Sequence, residues 1–466
     1  MTHASTSPAD SAAPAADVTA VESAGRLPLL LLTGSAVAWL ILSALLTLVG
    51  VLELVQPSFL SGCAFLSYGR VEAMAESAFI YGWVGNAGLA VVLWMLGRLS
   101  GEPLRAPNWM VGGASFWNFS LLCGLIGMGS GYATAVPFFQ LPAFIVPIML
   151  ISYCAMAVPG VLAWIGRRRD LMFASQWYAV AALFLFPWIV AAAYVMLDKV
   201  PVQGVVQAVV GGWYAQSLWA LWMAPMALAG AYYVVPRVTG RTLPAYDSAL
   251  LGFWLLLVIG GFTAGRHLIN GPVPAWVSSI AIVSTFLLIV HYVIVALNLR
   301  PSFGGGGTAL KFIALGVFAY LIEGFVDAIT SVRGVAVATQ FTYFDLAQTE
   351  LALYGGITLL LFGSIYFAVP RITGRPWPSA GLIRGHWALS VLGLIVSVGC
   401  LALAGLKQGA DLNHASVAFA SIFDDVHVWL VGATVGGMLL LLGNLLLALN
   451  LACSVKTMVC EELFSS

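Results

Sequence analysis

Twelve stretches of roughly 20 mostly apolar residues, parted by short polar breaks, leave this chain few folds to choose from. A helix of that length crosses a hydrocarbon core, where every backbone N–H and C=O must find its partner within the segment. The stretches fall near 28–55, 75–97, 111–130, 137–165, 175–197, 205–236, 246–265, 274–299, 308–330, 346–370, 386–406 and 426–453. Charged residues make up 8% of the sequence, against about 25% in a soluble domain. The reading is an all-α polytopic membrane protein: a disordered polar tail over 1–27, a twelve-helix membrane domain over 28–455 and a short tail over 456–466. The lipid bilayer is its first partner. A formal net charge of zero argues against nucleic acid.

The basic residues test the count of spans. With both termini in the cytoplasm, 14 of the 19 Lys and Arg residues fall inside, among them Arg168 and Arg169. Arg70, Lys199, Arg266, Arg333 and Lys407 fall outside. That bias fits the positive-inside rule, and a miscounted helix would scramble it. The six cysteines form neither a haem-attachment motif nor a zinc spacing, and read as small core residues. One internal echo stands out: Val235-Pro236-Arg237-Val238-Thr239-Gly240-Arg241 returns as Val369-Pro370-Arg371-Ile372-Thr373-Gly374-Arg375. In each copy proline is expected to stop a helix, glycine to turn the chain and arginine to anchor at lipid headgroups.

Further motifs carry a resemblance. The second helix begins Gly69-Arg70-Val71-Glu72-Ala73-Met74-Ala75 and continues through Gly82-Trp83-Val84-Gly85-Asn86-Ala87. The sixth holds Trp213-Tyr214-Ala215-Gln216 and closes on Tyr232-Tyr233-Val234-Val235-Pro236. Then come Gly265-Arg266-His267-Leu268, Pro274-Ala275-Trp276, Ile322-Glu323-Gly324 and Ala347-Gln348-Thr349-Glu350. In order and spacing these resemble the catalytic subunit I of haem-copper oxidases, above all the cbb-type oxidases and nitric oxide reductases, over about residues 28–455.

The resemblance implies a low-spin haem between positions 75 and 350, an active-site haem on position 348, and copper on positions 216, 266 and 267. This sequence has Ala75, Glu350, Gln348, Gln216, Arg266 and His267 there. Alanine offers no donor, an amide is a poor one, and guanidinium has no lone pair to give. One imidazole does not make a three-histidine copper site. No cofactor or metal is therefore expected; haem would need atypical ligands, with Met74, His267 and Tyr320 nearest.

The expectation is a polar network in place of cofactor bonds, with Arg266 paired to Glu350 through Gln216 and Gln348. Glu323 matches an acid on the proton route that the resemblance implies, and Asp327 lies one turn further on the same face, a possible proton path. Glu72 and Glu76 read as solvated acids at a helix entry, and Glu53 as an interfacial one. His291, His386, His414 and His427 read as satisfied polar residues. The expected function is a non-catalytic subunit of a respiratory membrane complex, a pseudoenzyme in a bacterial-type inner membrane beside other membrane subunits. The alternatives are an oxidase-like enzyme with a rebuilt haem or metal centre and a proton- or ion-conducting protein.

Overall fold

The computed structural model describes residues 15–101, 103–167, 172–269 and 271–464, with side chains from 25 to 458. Twelve of its helices are long and apolar enough to cross a membrane. They are α1 (Gly25–Val55), α2 (Tyr68–Ser100), α3 (Pro107–Gly129), α4 (Ala143–Ile165), α5 (Ala174–Lys199), α6 (Val205–Thr239), α7 (Tyr246–Leu268), α8 (Ala275–Gly304), α9 (Thr308–Thr330), α10 (Tyr343–Thr373), α11 (Ala380–Leu412) and α12 (Phe419–Met458). No strand occurs among the described residues. Every expected stretch overlaps one of these spans.

Several helices outrun the apolar stretch that announced them. Backbone helix already begins at Ala15, inside the expected N-terminal tail, and continues past 456 to Phe464 at the other end. Residues 1–14 of that tail, Arg168, Arg169 and the side chain of Cys460 lie outside the described residues. The other five cysteines are free but none is fully buried, and Cys154 and Cys453 are exposed, which corrects the core reading.

Burial sorts the spans into two rings. In α2, α6 and α10 between 94% and 100% of the apolar window is buried, against 33–56% for the other nine. These three pack on one another at the centre. Small residues permit the close approach: Gly88 of α2 lies under Met226 of α6, and Gly230 of α6 lies against Ser364 of α10. Trp83 of α2 donates to Thr358 Oγ1 of α10 at 2.9 Å. The outer ring turns large apolar side chains outward, such as Trp109 at 73% and Ile151 at 72% exposure. Such a surface suits acyl chains and would be an aggregation hazard in water.

Each central helix also contains a π-helical segment: Ala78–Val84 in α2, Trp219–Met223 in α6 and Leu351–Thr358 in α10. The repeated heptapeptide forms the same helix end twice. The helix runs through Pro236 to Thr239 and through Pro370 to Thr373. It stops at Gly240 and Gly374, whose φ values of 65° and 69° lie in the left-handed region that glycine adopts without strain. Glycine, rather than the expected proline, ends each helix. The arginine folds back over an aromatic ring, Arg371 lying 3.4 Å from the Phe367 centroid.

Candidate functional site

Positions 75, 216 and 348 each stand three residues before the π-helical segment of a central helix. They therefore occupy the same end of α2, α6 and α10. Around them the polar side chains gather into two groups rather than the single network expected.

The first group joins α6, α7, α9 and α10. Arg266, at the end of α7, reaches inward and its Nη2 lies 2.5 Å from Asp327 Oδ1 of α9. Gln348 Nε2 of α10 donates to the same Oδ1 at 2.7 Å, and Thr330 Oγ1 donates to Gln348 Oε1 at 3.3 Å. Arg266 Nη1 approaches Gln216 Oε1 of α6 at 3.5 Å. The Arg266 and Asp327 side chains are 11% and 3% exposed. One buried cation is thus matched by one buried carboxylate, the arrangement that low-polarity surroundings require. Its chemistry is that of a closed tie: fixed charge, committed donors and no open coordination position.

Arg266 therefore pairs with Asp327 and not with Glu350. His267, next in sequence, is exposed, and its backbone oxygen accepts from Gln340 Nε2 at 2.5 Å. Glu323 lies one turn before Asp327, beside Tyr292, and its Oε2 is buried without a partner. Close by, His291 Nε2 of α8 and Tyr320 OH of α9 are 3.0 Å apart. His291 Nδ1 is 2.7 Å from Gly252 O. Trp219 stacks on Tyr320 with ring centroids 5.9 Å apart. The His291–Tyr320 link was invisible in sequence, where each residue stood alone in an apolar run.

The second group lines a cavity of about 280 Å³ bounded by α1, α2, α10, α11 and α12. Ala75 and Glu350, the pair assigned to one haem by resemblance, both line it. The backbone oxygen of Ala75 accepts from Ser43 Oγ at 2.8 Å. Glu350 Oε2 accepts from Ser397 Oγ of α11 at 2.7 Å. Glu72 and Glu76 also face this cavity, and Glu76 accepts from Gln140 Nε2. For Glu76 that corrects the reading as a solvated entry acid, whereas Glu72 is exposed, in keeping with it. Ser397, Tyr354 and Asn444 went unnoticed in sequence. Their only signal was a polar side chain within an apolar helix. Among the described residues no three His, Cys, Asp or Glu side chains converge closely enough to hold a metal ion.

Comparison with known proteins bears on the family and the fold. The family model of cytochrome c and quinol oxidase polypeptide I matches residues 28–439. The chain is similar to subunit CcoN1 of the cbb3-type cytochrome c oxidase of Stutzerimonas stutzeri, 23% identical over 82% of this chain and 85% of that protein. It is also similar to a cytochrome c oxidase subunit 1 homologue of Azorhizobium caulinodans, 22% identical over 89% of this chain and 79% of that one. Among solved structures, a haem-copper terminal oxidase dimer superposes with a TM-score of 0.68 at 13% identity, covering 91% of this chain and 84% of its own.

Proposed function

The chain belongs to the cytochrome c and quinol oxidase polypeptide I family, and on that premise we propose that it is a non-catalytic member, an accessory subunit of a respiratory complex in a bacterial-type inner membrane. Arg266 carries this reading. A permanent cation with no lone pair stands where the resemblance implies a copper-binding imidazole, and its partner Asp327 holds it there at 2.5 Å. Gln348, at the position of the active-site haem ligand, donates to the same carboxylate.

The side chains present do not fit the family's cofactors. Haem iron takes imidazole, thiolate, thioether or phenolate. Ala75 has no donor atom, and Glu350 opposite it is engaged by Ser397. A copper site of this kind needs imidazoles, and His267 is the one imidazole at the three positions concerned, beside Gln216 and Arg266. No redox step is therefore derived for this chain. The scaffold supplies a rigid twelve-helix body with an apolar outer ring, suited to holding other membrane subunits.

Two experiments test the reading. A reduced-minus-oxidised absorption spectrum of the purified protein, with haem quantified per chain, is expected to be flat; one haem or more per chain would overturn the proposal. In mildly solubilised native membranes the chain is expected to migrate on blue-native gels in an assembly well above the mass of one copy. Migration as a lone chain would remove the subunit role.

The proposed orientation puts both termini in the cytoplasm, the side that the basic residues favour. Cys63, between α1 and α2, then faces the periplasm and is partly exposed. A membrane-impermeant maleimide is expected to label it in cells whose outer membrane has been permeabilised. Labelling of Cys63 only after the inner membrane is broken would reverse the topology.

A further inference from the structure

The cavity beside Ala75 does not end at the helices. A second recess of about 490 Å³, built from the 56–67 loop, Tyr343 and Phe423, shares Leu54 and Tyr68 with it. The two recesses adjoin at Leu54 and Tyr68, and the inner one reaches Asn444. Its charge is one-sided. Glu72, Glu76 and Glu350 line the inner part and Glu53 the outer, and no Lys, Arg or His is among the described residues lining either. The rest of the inner wall is mainly leucine, with aromatic rings from Tyr68, Phe79 and Tyr354.

Two of the polar atoms are still unanswered. Asn444 is 1% exposed and lines the inner cavity; its Oδ1 accepts from Tyr354 OH at 2.9 Å, while its Nδ2 has no partner. Glu53 Oε2, in the outer recess, is likewise buried and unpartnered. A buried polar group without a partner is costly unless a guest meets it.

We propose that this inner cavity, with the recess that adjoins it, binds a lipophilic organic cation, its apolar body along the leucine walls and its positive charge among Glu72, Glu76 and Glu350. Each competing guest meets a specific obstacle. An anionic lipid or a haem with its propionates would set like charge against like, with no basic side chain to compensate. A bare metal ion would want several oxygens at one point, and no three acidic or metal-binding side chains converge among the described residues. A purely apolar guest would leave Glu53 Oε2 and Asn444 Nδ2 without partners. A bulky cation spreads its charge over the distance the acids span, and the faces of Tyr68, Tyr354 and Phe79 attract it as well. The free N–H of Asn444 remains for an acceptor atom at the far end of the natural guest.

The test uses two probes of one shape and opposite charge. The full chain in phosphatidylcholine nanodiscs is titrated with tetraphenylphosphonium and, separately, with tetraphenylborate. Saturable binding of the cation at one site per chain is expected, and none of the anion. Glu350→Gln is expected to weaken binding about tenfold, through the loss of one negative charge beside the cation. Leu440→Phe, which narrows the cavity from α12 and leaves every acid in place, is expected to weaken it as well. Asp198→Asn, at a surface pair with Lys199 and outside the lining of either recess, is expected to change nothing. Saturable binding of tetraphenylborate at the same site, or cation binding indifferent to both Glu350→Gln and Leu440→Phe, would overturn the proposal.

Discussion

Asp327→Ala is expected to destabilise the purified protein by about 3–5 kcal/mol, the loss that follows when one partner of a buried ion pair is removed. The reason lies in what is left behind. Arg266 cannot shed its proton, its side chain is 11% exposed, and Gln216 offers it a neutral amide oxygen at 3.5 Å. Gln348 Nε2 would lose its acceptor in the same stroke. The readout is the midpoint of thermal unfolding followed by size-exclusion chromatography, in which the variant should collapse many degrees below the parent. The double variant Arg266→Met with Asp327→Leu should recover most of the loss, because well-packed apolar residues replace a buried pair at little cost. An Asp327→Ala protein as stable as the parent would mean that the pair ties nothing together.

The second large effect concerns α11. Gly405 and Gly409 lie one turn apart on its face toward the 333–344 segment. A Cβ at Gly405 would land on the backbone nitrogen of Phe344, and one at Gly409 on the carbonyl oxygen of Ala338. Backbone atoms held in helices do not swing aside as a leucine tip does, so the whole segment would have to move. Gly409→Val is expected to cost more than the 1–3 kcal/mol of ordinary overpacking and to abolish the monodisperse peak. Gly399→Ala on the same helix, where nothing lies within 4 Å, is the matched control. It should be neutral or slightly stabilising, since alanine suits a helix better than glycine. Equal behaviour of the two variants would show that close packing at Gly409 is not required.

The spans were legible because lipid leaves a segment few choices: a stretch of leucine, valine and alanine must satisfy its own backbone, and helix does so. The positions of the site were legible too. Ala75 and Glu350 do face one cavity, and Gln216, Arg266 and Gln348 do converge. What failed was the pairing among them. Gln348 and Glu350 are two residues apart, so they point to nearly opposite sides of α10 and cannot serve one cluster. Helical spacing alone could have separated them, sending Gln348 toward α9 and Glu350 toward α11. The choice of Asp327 over Glu323 as the partner of Arg266 could not be had that way. It depends on how α7 meets α9, a tertiary distance that no local pattern encodes. The same holds for His291 and Tyr320, joined from α8 and α9.

The π-helical segments of α2, α6 and α10 have a consequence for how such a chain can change. A π-turn accommodates one extra residue without lengthening the rod in proportion, so the halves on either side are set at an offset about the common axis. In α2, α6 and α10 this joint comes directly after positions 75, 216 and 348. Beyond it lie the tightly interlocked stretches around Gly88, Met226, Gly230 and Ser364. Each core rod is therefore two shafts on a coupling, one bearing side chains that can be exchanged and the other bearing the packing that must stay. New chemistry can be tried on the first shaft while the second keeps the bundle standing.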